Sequence, residues 1–136
     1  MAVGGFGRWV TGGGVSSLRR SNSAGQWDTL GQATPGVDLD GCFHVSLALS
    51  SNGKTLAVGS GRPNENDLSC PSGCTLRAHQ CDEETGQWWS GGQDLEQNSG
   101  LDWFGWSVAL SGDGSIVAAG GDVKNGHIKV FTSEGL

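Results

Sequence analysis

A sequence repeat with a period of 61 residues restricts the fold of this chain more than any other feature. Gly25-Gln26-Trp27 recurs as Gly86-Gln87-Trp88, and Ser46-Leu47-Ala48-Leu49-Ser50 recurs in the same register as Ser107-Val108-Ala109-Leu110-Ser111. A period of this length is typical of stacked or radial repeat proteins, because one such unit cannot bury its apolar face alone. The sequence therefore predicts similar units that pack side by side.

The glycine content indicates which secondary structure these units contain. Glycine accounts for 25 of the 136 residues, and no stretch between two glycines exceeds the twelve residues 74–85. A glycine inside an α-helix costs about 1 kcal/mol relative to alanine, so ordinary three-turn helices are disfavoured. We therefore expect an all-β chain.

Residues 104–111 alternate large with small side chains, as a β-strand does. Phe104 and Trp106 fall on the large face, which predicts a core position for both. The small side chains on the other face predict that a neighbouring sheet packs closely against that face. The dipeptides Asn52-Gly53 and Asp113-Gly114 then predict tight hairpin turns, because glycine readily takes a positive φ.

Each unit is predicted to contain four antiparallel strands, which is the size of one blade of a β-propeller. The hairpin turns lead to return strands at 55–58 and 116–119, third strands follow at 73–78 and 126–131, and Trp27 and Trp88 open the fourth. On this basis 1–32 is a partial blade, 42–93 a complete blade and 102–131 a partial blade. The predicted fold is an incomplete β-propeller of ten strands, or about two and a half blades.

So few blades have a consequence for assembly. Propellers close with about four to eight blades, and closure is what protects the edges of their sheets. We therefore expect this chain to expose blade edges and to self-associate through them.

Four motifs carry a resemblance to a known family. The pattern W-x-x-x-G-Q, then F-G-x-S-V-A-L-S-x-D-G, then A-x-G and G-x-I-K-V-F resembles the FG-GAP repeats of integrin-alpha-like β-propellers, in the tandem form common in algae and other microbial eukaryotes. Residues 102–131 carry the resemblance best, 25–60 carry a degraded copy and 1–24 only a trace. It implies a propeller scaffold that binds protein or glycan, as part of a larger assembly or parent protein.

Calcium binding, which FG-GAP repeats of integrins often show, is not expected here. The corresponding loops, residues 50–53 and 111–114, are too short and too poor in carboxylates for the six to eight oxygens that calcium takes. We expect no metal site and no cofactor.

The net charge and the cysteine content indicate which classes of partner and which cellular compartment to expect. The net charge of −6 argues against nucleic acid, which needs a concentrated positive field, and no apolar stretch is long enough to span a membrane. No signal peptide is visible, yet the cysteine cluster and the family resemblance favour the cell surface or exterior. Cys42, Cys70, Cys74 and Cys81 leave three possibilities open: a disulfide that pins a loop, free thiols, or a zinc site that includes His79.

Catalytic motifs are not found, so we expect no enzyme activity and no catalytic residues. G-x-S-x-G, H-E-x-x-H and the phosphate-binding G-x-x-x-x-G-K-[ST] are all missing from the sequence. Trp89 and Trp103 are the candidate ligand-binding residues, because both are expected to be exposed. Trp89 corresponds to Asp28 in the other repeat copy, a position that tolerates charge. Trp103 corresponds to Cys42 and points away from the large face. Two alternatives remain: a propeller hydrolase whose site is completed elsewhere, with His44 lining a channel, and a truncated product without independent function.

Overall fold

The computed structural model describes residues 2–5, 14–20, 27–29, 44–61, 74–89, 95–98, 104–121 and 126–133. These residues form eleven β-strands and no α-helix. The strands are β1 (Ala2–Gly5), β2 (Gly14–Arg20), β3 (Trp27–Thr29), β4 (His44–Leu49), β5 (Thr55–Gly61), β6 (Cys74–Cys81), β7 (Trp88–Trp89), β8 (Glu96–Asn98), β9 (Ser107–Leu110), β10 (Ile116–Gly121) and β11 (His127–Thr132).

The strands form three antiparallel sheets. The first sheet has the order β1-β2-β3, the second has β4-β5-β6-β7 with β8 also paired to β6, and the third has β9-β10-β11. The predicted all-β, antiparallel class is confirmed, and the sheets are consistent with partial propeller blades. The boundaries of the three predicted blades stay a prediction.

The predicted count of ten strands is wrong, because β8 was missed. β7 pairs with Gln80 and Cys81 at one end of β6, while β8 pairs with residues 74–76 at its other end. Two short strands thus share the outer edge of β6. β8 has the sequence Glu-Gln-Asn, which has no apolar alternation, so its pairing comes from the position of its backbone rather than from its side chains.

The two hairpin turns, at residues 50–55 and 111–116, share the hydrogen bonds that form the turn. Gly53 and Gly114 have φ of 73° and 78°, and each donates its amide to the carbonyl of the serine that opens its turn, at 2.9 Å. The Asn or Asp before each glycine accepts the amide two residues further along, at 3.0 Å. The predicted tight turns are therefore confirmed.

The third strands, β6 and β11, correspond to one another with a shift of one residue from the sequence-based match of 73–78 with 126–131. Leu76 pairs with Gly59, and Ile128 pairs with Gly120. Because Gly59 and Gly120 are equivalent in the 61-residue repeat, Leu76 corresponds to Ile128, whereas the sequence alignment had set it opposite Lys129. The loops before β6 and β11 differ in length, so the offset of 61 residues does not continue into these strands.

Apolar side chains are buried on both faces of the second sheet. On one face Ala57 and Leu76 pack with Phe104 and Val117 of the third sheet. On the other face Leu56 and Val58 pack with Trp88. Since successive residues of a strand point to opposite faces, β5 contributes to both clusters.

The second and third sheets approach closely at Gly59. A Cβ atom on Gly59 would collide with the Gly105 carbonyl oxygen, would lie 2.6 Å from Ser46 Oγ and would lie 2.8 Å from Val108 Cγ1. At the same place Ser46 Oγ donates a hydrogen bond to the Gly105 carbonyl at 2.7 Å. The small side chains of β4 therefore allow this approach.

Candidate functional site: the open face of the third sheet

One face of the third sheet has the same repeat positions as the face of the second sheet that packs against the third. None of the described residues covers this face of the third sheet. We call this surface the open face. Strand register and alternation place eight residues on it: Ser107, Ala109, Ile116, Ala118, Gly120, Ile128, Val130 and Thr132. The equivalent residues of the second sheet that contact the third sheet include Ser46, Ala48, Ala57, Gly59 and Leu76.

Exposure separates the two copies clearly. Leu76 is completely buried, whereas its equivalent Ile128 is 77% exposed and Val130 is 63% exposed. Ser107 and Ala109 are exposed as well. The prediction that the small side chains of residues 104–111 face a neighbouring sheet is thus wrong for β9, whereas the equivalent small side chains of β4 do face the third sheet. No described sheet reaches the small side of β9.

The open face is apolar and uncharged. Its side chains include no acid and no base, in a chain whose net charge is −6. Lys129 lies on the opposite face of β11, where its ammonium group stands 5.4 Å from the centre of the Phe104 ring. Exposed apolar patches in soluble proteins mark interaction sites.

A shallow cleft of about 360 Å³ lies at one end of the open face. Its lining includes Ser107, Gly120, Gly121 and Ile128, together with Trp106. Trp106, which the alternation predicts to be in the core, is only half-buried. The core prediction holds for Phe104, which has no exposed surface.

Phe104 anchors the third sheet against the second. Its ring stacks on His127 with centroids 5.5 Å apart and an interplanar angle of 4°, and it meets the edge of Phe131 at 6.5 Å. Both partners come from β11, so Phe104 ties the start of β9 to the opposite edge of its own sheet. The face of the third sheet opposite the open face is therefore well packed.

The turn beside the open face carries a perturbed carboxylate. Hydrogen bonds from Ser111 Oγ at 2.6 Å, then from Ser115 N and Oγ, lower the pKa of Asp113 from 3.8 to about 2. All of these donors bind the ionised form, so they favour it over the protonated acid. Asp113 is thus a turn-forming residue in this structure.

This arrangement predicts how Asp113→Asn changes the pH dependence of stability. The folded-state pKa lies below the unfolded one, so ionised Asp113 stabilises the fold above pH ~4, and this contribution is lost as the pH falls toward about 2. Asn52 shows that asparagine fits the same turn. We expect the variant to have a slightly lower thermal midpoint at pH 7 and to match the wild type near pH 2. Parallel curves with a constant gap, measured by circular dichroism, would contradict this.

The residues singled out in the sequence are only partly described. Trp103 lies outside the described residues, and of Trp89 the structure describes the backbone, which pairs with Gln80. His44 begins β4, and its side chain is likewise outside the description. The ligand-binding role of the two tryptophans and the channel position of His44 stay predictions.

The cysteine alternatives are resolved at one position. Cys81 has a free thiol, and its pKa is raised by partial burial and by the negative charges of Asp82 and Glu83. Cys42 and Cys70 lie outside the described residues. In the ranges that the structure covers, no three His, Cys, Asp or Glu side chains come together as metal ligands, and no helix is long and apolar enough to cross a membrane.

Sequence reasoning missed Ile128 and Val130 as functional candidates. Both belong to a strand that alternates apolar with polar residues, and such a strand is normally read as half-buried. The available signal was the repeat itself. Once Leu76 is aligned with Ile128, the second and third sheets have equivalent apolar faces, and each of these faces needs a covering sheet. Only the three-dimensional register gives that alignment.

Comparison with known proteins bears directly on the open face. A search of curated proteins found no match. A family model described as the FG-GAP repeat matches residues 96–131, which run from β8 into β11 and include most of the open face. The resemblance seen in the sequence is confirmed over this segment, since residues 96–131 match the FG-GAP repeat.

Proposed function

We propose that this chain is a non-enzymatic repeat scaffold that binds a protein partner through the open face, as part of a larger assembly. The observation that carries the proposal is the contrast between equivalent positions: Leu76 is buried by a neighbouring sheet and Ile128 is 77% exposed. A face that is built for burial and left uncovered exposes apolar surface to water. Burial of that surface favours association by about 25 cal/mol per Å².

Protein is favoured over glycan as the partner of this face. Sugar sites use aromatic rings and polar groups that fix orientation, whereas the open face consists of Ile, Val, Ala, Ser, Thr and Gly. Its small residues and its lack of charge suit the flat, close packing of another sheet. Glycan binding by Trp89 or Trp103 stays a separate prediction.

Light scattering on the purified full-length chain tests the proposal, with a second copy of the chain as the probe. We expect a molar mass above that of the 14.0 kDa monomer that rises with concentration. We expect the double variant Ile128→Glu, Val130→Lys to remain monomeric, because charges on the face must be desolvated on association. Gln87→Glu, in the exposed turn between β6 and β7, is the matched control and should associate as the wild type does.

Two outcomes would overturn the proposal. One is a wild-type chain that stays monomeric at every concentration. The other is an association that the double variant does not reduce, which would assign it to a strand edge or another surface. Circular dichroism checks that the double variant is folded, which we expect because both substituted side chains are mostly exposed.

A further inference from the structure

We infer that the partner of the open face is a further sheet of the same repeat type, whose Phe-Gly segment sits in the cleft beside Ser107 and Gly120. This inference rests on the proposed function, because it names the occupant of the same surface. The interface between the second and third sheets supplies the geometry.

The receiving residues are present twice in the chain. On the second sheet Ser46 donates to the Gly105 carbonyl at 2.7 Å, and Gly59 has no side chain at the point where that carbonyl approaches. On the third sheet Ser107 and Gly120 stand in the same pairing, and both line the cleft. The third sheet thus presents a hydroxyl donor and a glycine at the place where the second sheet receives a carbonyl.

The geometry of Gly105 specifies what can enter. Gly105 has φ of 89°, a conformation that residues with a side chain rarely adopt. The residue before it, Phe104, fills the space over Ala57 and Leu76. The matching space on the third sheet lies over Ala118 and Ile128. An incoming segment therefore needs a large aromatic residue followed by glycine.

A second contact surface supports a sheet as the occupant. β8 pairs with residues 74–76 on the outer edge of β6. By the repeat register the corresponding edge is residues 126–128, where β11 begins, and β11 lies at the end of its sheet in the described strand order. A further repeat can therefore add a strand like β8 to the edge of β11 while its sheet covers the open face. β8 and the third sheet contact the second sheet in the same way.

The test is a full-length chain in which residues 82–133 are duplicated in tandem. Thr132 occupies the repeat position of Gln80, so a second copy that begins at Asp82 directly after Ser133 continues the register. The probe is a cysteine introduced by Ile128→Cys in the first copy only, followed by mass spectrometry of thiol labelling. With both chains diluted to a concentration at which light scattering shows the single chain to be monomeric, we expect labelling at least about tenfold slower in the duplicated chain than in the single chain, because the site becomes protected.

Two controls make the result specific. Gly120→Ala in the first copy should restore fast labelling in the duplicated chain, because the new Cβ occupies the path of the incoming carbonyl. Glu84→Cys in the first copy lies in an exposed turn and should label at the same rate with and without the duplication.

Each outcome discriminates between the two proposals. Fast labelling of Ile128→Cys in the duplicated chain, or protection that Gly120→Ala does not remove, overturns the repeat sheet as the occupant. If the single chain nevertheless self-associates through the open face by light scattering, the proposed function stands with a different partner. If that association also fails, both proposals fall.

Discussion

Replacement of Phe104 by alanine is expected to lower the free energy of unfolding by about 3–5 kcal/mol, the range found for large aromatic residues removed from cores. Phe104 is completely buried and lies in the cluster that joins the second and third sheets. Its removal also ends the stacking on His127 and the edge contact with Phe131. Urea unfolding followed by tryptophan fluorescence measures the change.

Phe104→Leu keeps the prediction testable if the alanine variant does not fold. Leucine retains most of the buried apolar volume but not the ring contacts, so we expect a smaller loss, about 1–2 kcal/mol. Ile128→Ala is the control for apolar surface that is already exposed and should change stability by less than about 0.5 kcal/mol. A Phe104→Ala variant as stable as Ile128→Ala would show that the two sheets are not held together in this way.

Gly59→Ala is expected to destabilise the fold by about 1–3 kcal/mol or more, while Gly120→Ala leaves it nearly unchanged. The two glycines are equivalent in the repeat. A Cβ on Gly59 collides with the Gly105 carbonyl and crowds Ser46 and Val108, whereas the nearest atom to a Cβ on Gly120 is Ser107 Oγ at 3.3 Å. Ser107 is exposed, so its hydroxyl can move aside.

The matched pair separates packing between sheets from the intrinsic effect of the substitution. Both changes place alanine in the middle strand of a sheet, so differences in β-propensity and backbone entropy largely cancel. The quantity to compare is the urea midpoint of the two variants at equal slope. Equal losses at both positions would mean that the open face is covered in solution by part of this chain, or that the close approach at Gly59 does not exist.

The sequence predicts the repeated part of this fold well, because there two copies constrain one another. The Asn-Gly and Asp-Gly turns depend on local geometry, and both are found in the structure. The strand predicted over residues 104–111 is found from Ser107 to Leu110, whereas Phe104 and Gly105 lie in a turn before it. The conformation of Gly53 and Gly114 follows from the turn type, which needs a positive φ at the glycine. These features require no knowledge of how the sheets pack.

Features that depend on packing were harder to predict. β8 has no apolar pattern of its own, and it pairs with β6 through its backbone. The register of β11 depends on the length of the loop before it, so Ile128 and Lys129 were assigned to the wrong repeat positions. That error of one residue reverses the faces of a strand, and it concealed the exposed counterpart of Leu76 on which the proposed function rests.

The most direct test of the account is an experimentally determined structure of the chain with residues 82–133 duplicated. The account predicts that Ser107 Oγ of the first copy donates to the carbonyl of the glycine that corresponds to Gly105 in the second copy, as Ser46 Oγ does to Gly105. It also predicts that Ile128 of the first copy is buried, as Leu76 is. A second copy that packs elsewhere and leaves Ile128 exposed would contradict the central claim that the open face is a repeat interface.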